Sequence, residues 1–222
     1  MPLSILDTCA IVHLANTRLR DRTALAILSQ AFDDVCVPDK VHDELRSIIQ
    51  INPDEFVRNA NEVFSRECHV SGTIRICEVS SECLKAVIRS EMAAVTHLQK
   101  TSKIYKPKKH LDIGEKEATA LALQLSRQKD QYISLITGDF KAIPLLEFVF
   151  CDQSIGHVYS TPDLFTYLFE RCYITKEEAW SSITNLVSDI IPGYGTYSQV
   201  DFIISSRNLP YVDKLERVYK PL

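Results

Sequence analysis

Short apolar runs alternate along the chain with longer stretches of helical periodicity. Leu3-Ser4-Ile5-Leu6 is the first such run and stops at a carboxylate, Asp7. It predicts a short buried strand, after which Thr8 turns into a helix that reaches about Ala15. Asp21 or Arg22 opens a second helix, Ala24 to Phe32, with Leu25 and Leu28 inward. Val35-Cys36-Val37-Pro38 predicts the next strand, closed by a proline that cannot donate to a ladder. Asp39 then stands where a cap is wanted for a helix over Val41 to Ile49, with Glu44 in its second turn. From Asn52 to about His97 the pattern is mostly helical. Pro53 and Asp54 start a helix to Phe64, Thr73 to Cys77 reads as a strand, and Ser80 or Ser81 caps a helix to about Leu98. Lys100 to His110 reads as a loop with Pro107 inside it.

The stretch Leu111 to Leu123 organises the second half. Gly114 ends an extended approach, carboxylates fill the first helical turn, and Ala118, Leu121, Ala122 and Leu125 repeat at helical spacing. Acids belong in that turn because exposed N–H groups and the helix dipole favour negative charge. The helix runs to about Gln128, and Asp112 reads as its cap. Tyr132 to Ile136 is a buried strand ended by Thr137-Gly138-Asp139, and Phe140 to Phe148 is a short helix. His157 to Ser160 is the last strand of this series. Thr161 or Ser160 with Pro162 starts a helix over Asp163 to Arg171, where Asp163 is read as a capping residue. Thr175 to Glu178 is a capping box that opens a helix to about Ile190.

This alternation predicts an α/β fold, a three-layer α/β/α sandwich with a mainly parallel central sheet. Residues 1–190 make the domain, with additional helices in a segment at about 52–109. Residues 191–222 form a C-terminal extension, where Val200 to Ile204 reads as an added strand or packing arm.

Composition narrows the function classes. The 222 residues are 45% hydrophobic and 24% charged, which suits one generous domain with a real core. A net charge of -4 argues against coating nucleic acid by overall charge, while leaving room for a local basic groove. Seven cysteines without CxxC pairs read as reduced thiols, and the chain as cytoplasmic. No apolar run approaches the ~18 residues of a membrane span. The six histidines and the cysteines show no metal-ligand spacing.

In a parallel sheet, ligands sit beyond the carboxyl ends of the strands. Two predicted strands end at Asp7 and Asp139, and two helices carry Glu44 and Glu115 near their starts. All four acids can converge on one rim. Acids so placed repel one another unless cations neutralise them, and hard divalent ions take oxygen ligands. One or two such ions can activate water and stabilise the leaving oxygen of a phosphodiester. Glu117 lies two positions after Glu115, on another side of the helix, and reads as a solvated or supporting group. Lys106, Lys108 and Lys109 precede the acidic helix and are candidates to hold substrate phosphates.

Four motifs in order make the chain resemble the PIN-domain nucleases over roughly residues 3–185. They are Ile5-Leu6-Asp7-Thr8, Val37-Pro38 followed by Glu44, Gly114-Glu115-Lys116-Glu117-Ala118 with Leu121-Ala122, and Ile136-Thr137-Gly138-Asp139. The resemblance implies a metal-dependent endoribonuclease in which Asp7, Glu44, Glu115 and Asp139 ligate Mg²⁺ or Mn²⁺. Thr8 and Thr137 would support those acids. Cleavage of RNA would leave a 5′-phosphate and a 3′-hydroxyl. Members include the toxins of toxin–antitoxin pairs, so an antitoxin-like protein partner and a homodimer come with the resemblance. The chain departs from the family at Cys9, where a small polar residue is usual, and in its longer middle segment and tail. Two rival readings stand beside the nuclease: a PIN-like binding or scaffold module without catalysis, and a nuclease acting on structured DNA.

Overall fold

A computed structural model describes residues 3–51, 55–101 and 109–193. Strand β1 (Leu3–Leu6) leads into α1 (Thr8–Asn16), and a small antiparallel hairpin, β2 (Arg18–Leu19) and β3 (Arg22–Thr23), follows. Then come α2 (Ala24–Ala31), β4 (Asp34–Pro38), α3 (Asp39–Ile51), α4 (Glu55–His69), β5 (Ile74–Cys77) and α5 (Ser81–Thr101). The second half holds α6 (Ile113–Lys129), β6 (Ile133–Thr137), α7 (Ile143–Asp152), β7 (Gly156–Ser160), α8 (Thr161–Glu170) and α9 (Lys176–Gly193). The central sheet runs β5-β4-β1-β6-β7, and every neighbouring pair in it is parallel.

Strand alternation divides the interior into two cores, one on each face of the sheet. Leu6, Val35, Val37 and Ile136 point into one, which α1, α2, α4, α8 and α9 complete with residues such as Leu28, Phe64 and Phe165. Leu3, Ile5, Ile133 and Leu135 point into the other, closed by α5, α6 and α7 with Leu121, Leu146 and Phe150. Helices on both faces of a parallel sheet satisfy the need of near-continuous apolar strands to be covered twice. Among the described residues no helix is long and apolar enough to cross a membrane.

The strand expected at Thr73 to Cys77 is present as β5 (Ile74–Cys77), and it pairs with β4 at the sheet edge. It is therefore woven into the central layer. Helix α5 continues past Leu98 to Thr101 because Gln99, Lys100 and Thr101 contain no breaker; Lys100 is helical where a loop was expected. The second helix is capped by Thr23, whose Oγ1 accepts the Ala26 N–H, and not opened by Asp21 or Arg22. The chain before it turns through Arg20 at φ +56 to form the hairpin. Ser80 settles the start of α5 by accepting the Glu82 N–H, and Ser160 and Asp163 form a reciprocal capping box on α8. The Thr175–Glu178 box is present on α9, with Thr175 N–H on Glu178 at 2.7 Å and Glu178 N–H on Thr175 at 3.2 Å. Pro53, Asp54 and the Val200 to Ile204 strand lie outside the described residues.

Gly156, at φ +153, brings the start of β7 against Ile133, its partner in register. A Cβ there would fall 2.6 Å from Ile133 N and closer still to its carbonyl oxygen. Gly156→Ala is expected to destabilise the protein by at least ~2 kcal/mol, combining backbone strain with a steric clash. Urea denaturation of the two proteins would measure it.

Candidate active site

Asp7 occupies the first position after the central strand. Its backbone N–H still donates to the Ile136 carbonyl, which continues the β1–β6 ladder, while its side chain caps α1 through the Ala10 N–H at 2.7 Å. Thr137 Oγ1 donates to Asp7 Oδ2, and the Gly138 N–H reaches Oδ1 at 3.4 Å. Asp7 is 4% exposed. Burial pushes it up to about 6, against the pull of the Thr137, Ala10 and Gly138 donors, and Asp139 adds its repulsion.

Asp139 is placed by the turn that leaves β6. Its N–H donates to Thr137 Oγ1 at 3.1 Å, and its Oδ1 accepts the Lys141 N–H at 2.8 Å. Thr137 thus links the two aspartates: its hydroxyl donates to one side chain and accepts from the backbone of the other. Gly138 between them is required by close packing, because a Cβ there would lie 2.8 Å from Cys9 Cβ and 2.9 Å from His13 Cε1. His13 Nδ1 is 3.5 Å from Thr161 Oγ1, and the Thr161 hydroxyl donates to the Thr137 carbonyl at 3.4 Å.

The two glutamates arrive from opposite faces of the sheet edge. Thr8 Oγ1 donates to Glu44 Oε2 at 2.7 Å, which ties α3 to the start of α1. The same Glu44 oxygen lies 2.5 Å from where a Cβ of Gly114 would stand. Only a glycine at the first turn of α6 leaves Glu44 that space. One residue on, Glu115 closes a capping box with Asp112: Glu115 N–H donates to Asp112 Oδ1 at 2.9 Å, and Asp112 N–H donates to Glu115 Oε2 at 2.8 Å. A carboxylate offers about four lone-pair sites, so this bond does not exhaust Glu115. Glu115 is 4% exposed.

The arrangement brings Asp7 and Asp139 together through Thr137, and Glu44 against Thr8 and Gly114. Cys9 reports how near the groups are to one another. It is exposed at one edge, yet the protein packed around its sulfur, followed by the charges of Asp7, Asp139, Asp112 and Glu115, holds its thiol well above the ordinary range. Burial and the surrounding carboxylates thus disfavour the thiolate form of Cys9. Among the described residues, no three His, Cys, Asp or Glu side chains stand close enough in this arrangement to grip one ion together.

Other expected residues fall differently. Asp112 is the cap it was read to be. Glu117 is buried, not solvated: it packs toward α3, where burial and then Asp39 raise its carboxyl while Lys40 opposes them. Lys109 is exposed ahead of α6, and Lys106 and Lys108 lie outside the described residues. A residue that the pattern did not single out is Glu91 of α5, which is 3% exposed. It accepts the Leu111 N–H at 2.6 Å and lies 3.3 Å from Lys116 Nζ. Those two contacts bracket Asp112 and Glu115 and hold the start of α6 against α5. A carboxylate in mid-helix has no sequence signature for such a role.

The raised carboxyl of Asp7 has a consequence for stability. A folded-state value near 6 against an ordinary 3.8 means that the native protein binds the proton more tightly than the unfolded chain. Ionised Asp7 therefore weakens the metal-free fold as pH rises from about 4 through 6. Asp7→Asn is expected to stabilise the protein in EDTA at pH 7.5, by up to about 3 kcal/mol, and to lose that advantage below pH 4. Thermal or urea unfolding of both proteins across pH would measure it.

No family model matches the chain, and no curated protein matches it.

Proposed function

We infer that the chain is a metal-dependent endoribonuclease of PIN type, with Asp7, Glu44, Glu115 and Asp139 as the acids that hold Mg²⁺ or Mn²⁺. The observation that carries this reading is the environment of Asp7. It is a buried carboxyl at the end of the central strand, surrounded by hydrogen-bond donors and a second aspartate, and pushed up to about 6. A divalent cation bound there would offset the charge that burial disfavours. The donor set also fits the ion: all four candidates are carboxylates, which suits hard oxygen-seeking ions. Gly114 adds a second observation, since its missing Cβ is the space that Glu44 uses to reach the rim.

Bound among these acids, Mg²⁺ or Mn²⁺ would supply water activation and stabilisation of the leaving oxygen. The chain's own residues do the positioning. Thr137 Oγ1 orients Asp7 Oδ2 while accepting the Asp139 N–H, so one hydroxyl sets the spacing of two acids. Thr8 Oγ1 fixes Glu44 in the same way. The Asp112 box turns Glu115 toward the helix start, and Glu91 holds that start in place. Support of this kind is worth 10- to 100-fold in metal affinity or activity in metalloproteins of about this construction. Hydrolysis at this site would leave a 5′-phosphate and a 3′-hydroxyl. RNA as substrate, in single-stranded or structured form, rests on the family resemblance.

Cleavage of a labelled single-stranded RNA by the full chain tests the reading, in Mn²⁺, in Mg²⁺ and in EDTA, beside Asp139→Asn. Metal-dependent cutting that falls by about 100-fold or more in the variant is the expected result. Absence of cutting in every condition, together with unfolding temperatures unmoved by Mn²⁺, would turn the reading to a binding or scaffold module.

Gly114→Ala gives a second check. The new methyl must push Glu44 away from its position beside Thr8, and only the end of a flexible side chain has to move. The variant is expected to fold with an unfolding temperature in EDTA close to that of the parent, and to need about 10-fold more Mn²⁺ for half-maximal cleavage. Titration of the rate against Mn²⁺ would measure this.

A further inference from the structure

We propose that a cavity on the α8 side of the sheet is a nucleobase-binding pocket, separate from the carboxylate rim. The cavity has a volume of about 220 Å³. That is below the ~300–1,000 Å³ of drug-sized ligand sites and suits one planar heterocycle. It opens over the first half of β6 and β7, at Ser134 and His157, whereas Asp139 follows the far end of β6. Three residues of strand, about 10 Å, separate Ser134 from Thr137.

The walls are aromatic and already arranged as a ladder. Phe32 stacks on Tyr167 with centroids 5.6 Å apart and planes at 26°. Tyr159 lies 6.2 Å from Tyr167, His157 lies 6.3 Å from Tyr159, and Tyr132 lies 6.1 Å from His157. The ladder does not end in the core. Tyr132 is 70% exposed and His157 is exposed, so the row of rings, each inclined by 44–62° to the next beyond Tyr167, continues out to the solvent-facing mouth of the cavity. Arg171 stands at that mouth with its guanidinium 5.6 Å from the Tyr167 ring centre. A cation at the opening of an aromatic slot matches a base that carries a phosphate.

The floor is polar where the neighbouring strand positions are apolar. Ser134 lines the cavity, and Ser4 is its partner in register on β1, on the same face. The Ser4 hydroxyl is buried and has no hydrogen-bond partner among the described residues. The positions beyond these serines on the same face are Leu6 and Ile136, as expected of a core. Ser134 is the hydroxyl that lines the cavity and is suited to meet the polar edge of a base, with the buried Ser4 beside it on β1.

The source of the base is either a free nucleotide or a strand of RNA, and both present the same chemistry. The full chain is titrated in EDTA, so that the carboxylate rim is silent and the outcome is independent of the nuclease reading. The probes are adenosine 5′-monophosphate, ribose 5-phosphate and a single-stranded RNA of about ten nucleotides, a length within the usual span of strand-binding sites. Saturable binding of the nucleotide is expected, with affinity at least about fivefold weaker in Tyr132→Ala, Arg171→Gln and Ser134→Val and little binding of ribose 5-phosphate. Tyr132→Ala and Arg171→Gln alter exposed side chains, so they report on binding even if Ser134→Val fails to fold. RNA binding about tenfold or more tighter than the mononucleotide, and displaced by it, identifies a strand as the source; equal affinity identifies a free nucleotide. Equal binding of ribose 5-phosphate, affinities unchanged in the exposed variants, or no saturable binding of any probe would overturn the proposal.

Discussion

A carboxylate buried at the end of the central strand governs the structure of the site. Asp7 is needed by the fold in two ways: its backbone extends the β1–β6 ladder, and its side chain caps α1. Both uses place it where water is excluded. That burial is the largest influence on its charge and pushes its carboxyl up; a threonine hydroxyl and two backbone N–H groups pull it down, and another aspartate adds repulsion. Donors of that kind lower the cost of an ionised group without cancelling it. The site is thus built to hold negative charge that the surrounding chain compensates only in part. This is a physical reason to look there for a cation, and it does not depend on any likeness to other proteins.

Local rules bring the remaining acids to the same end of the sheet. Asp139 follows β6, the strand beside β1, so parallel pairing alone sets it next to Asp7. Glu115 is drawn to the start of α6 by its capping box with Asp112, and Glu91 binds the preceding residue to α5. Glu44 reaches the rim because Thr8 holds it and Gly114 leaves room. Each contact is an ordinary structural device. Their sum is a set of oxygen donors at the carboxyl ends of parallel strands, the usual place for ligands in such sheets.

Much of this was legible in the sequence, for identifiable reasons. Short apolar runs ending at Asp7 and Asp139 announce strands that are buried on both faces, and buried strands have few alternatives to a parallel sheet covered by helices. Thr175 was readable because a capping box has a fixed spacing, and Asp112 and Asp163 because acids are favoured at helix starts. Other features depended on contacts between distant positions. Glu117 read as a solvated or supporting group from helix geometry, and the solvated alternative fails because it is buried toward α3. The strand at Thr73 to Cys77 was readable, but its place was not: Ile74 to Cys77 pairs with β4 at the edge of the central sheet. Glu91, Gly138 and the unpartnered Ser4 acquire meaning only from what folds against them. The Arg18–Thr23 hairpin escaped because its two-residue strands are too short to show a period.

The central proposal is that the four acids hold divalent metal, one ion or two, and direct binding of Mn²⁺ tests it without assuming a substrate. The paramagnetic signal of free Mn²⁺, followed during titration of the full chain and of Asp7→Asn, Glu44→Gln, Glu115→Gln and Asp139→Asn, gives both affinity and stoichiometry. The account predicts saturable binding by the parent and a loss of about 10-fold or more in each variant, since each would remove one charged ligand. Parent protein that leaves the free-ion signal unchanged, or variants that bind as the parent does, would contradict it.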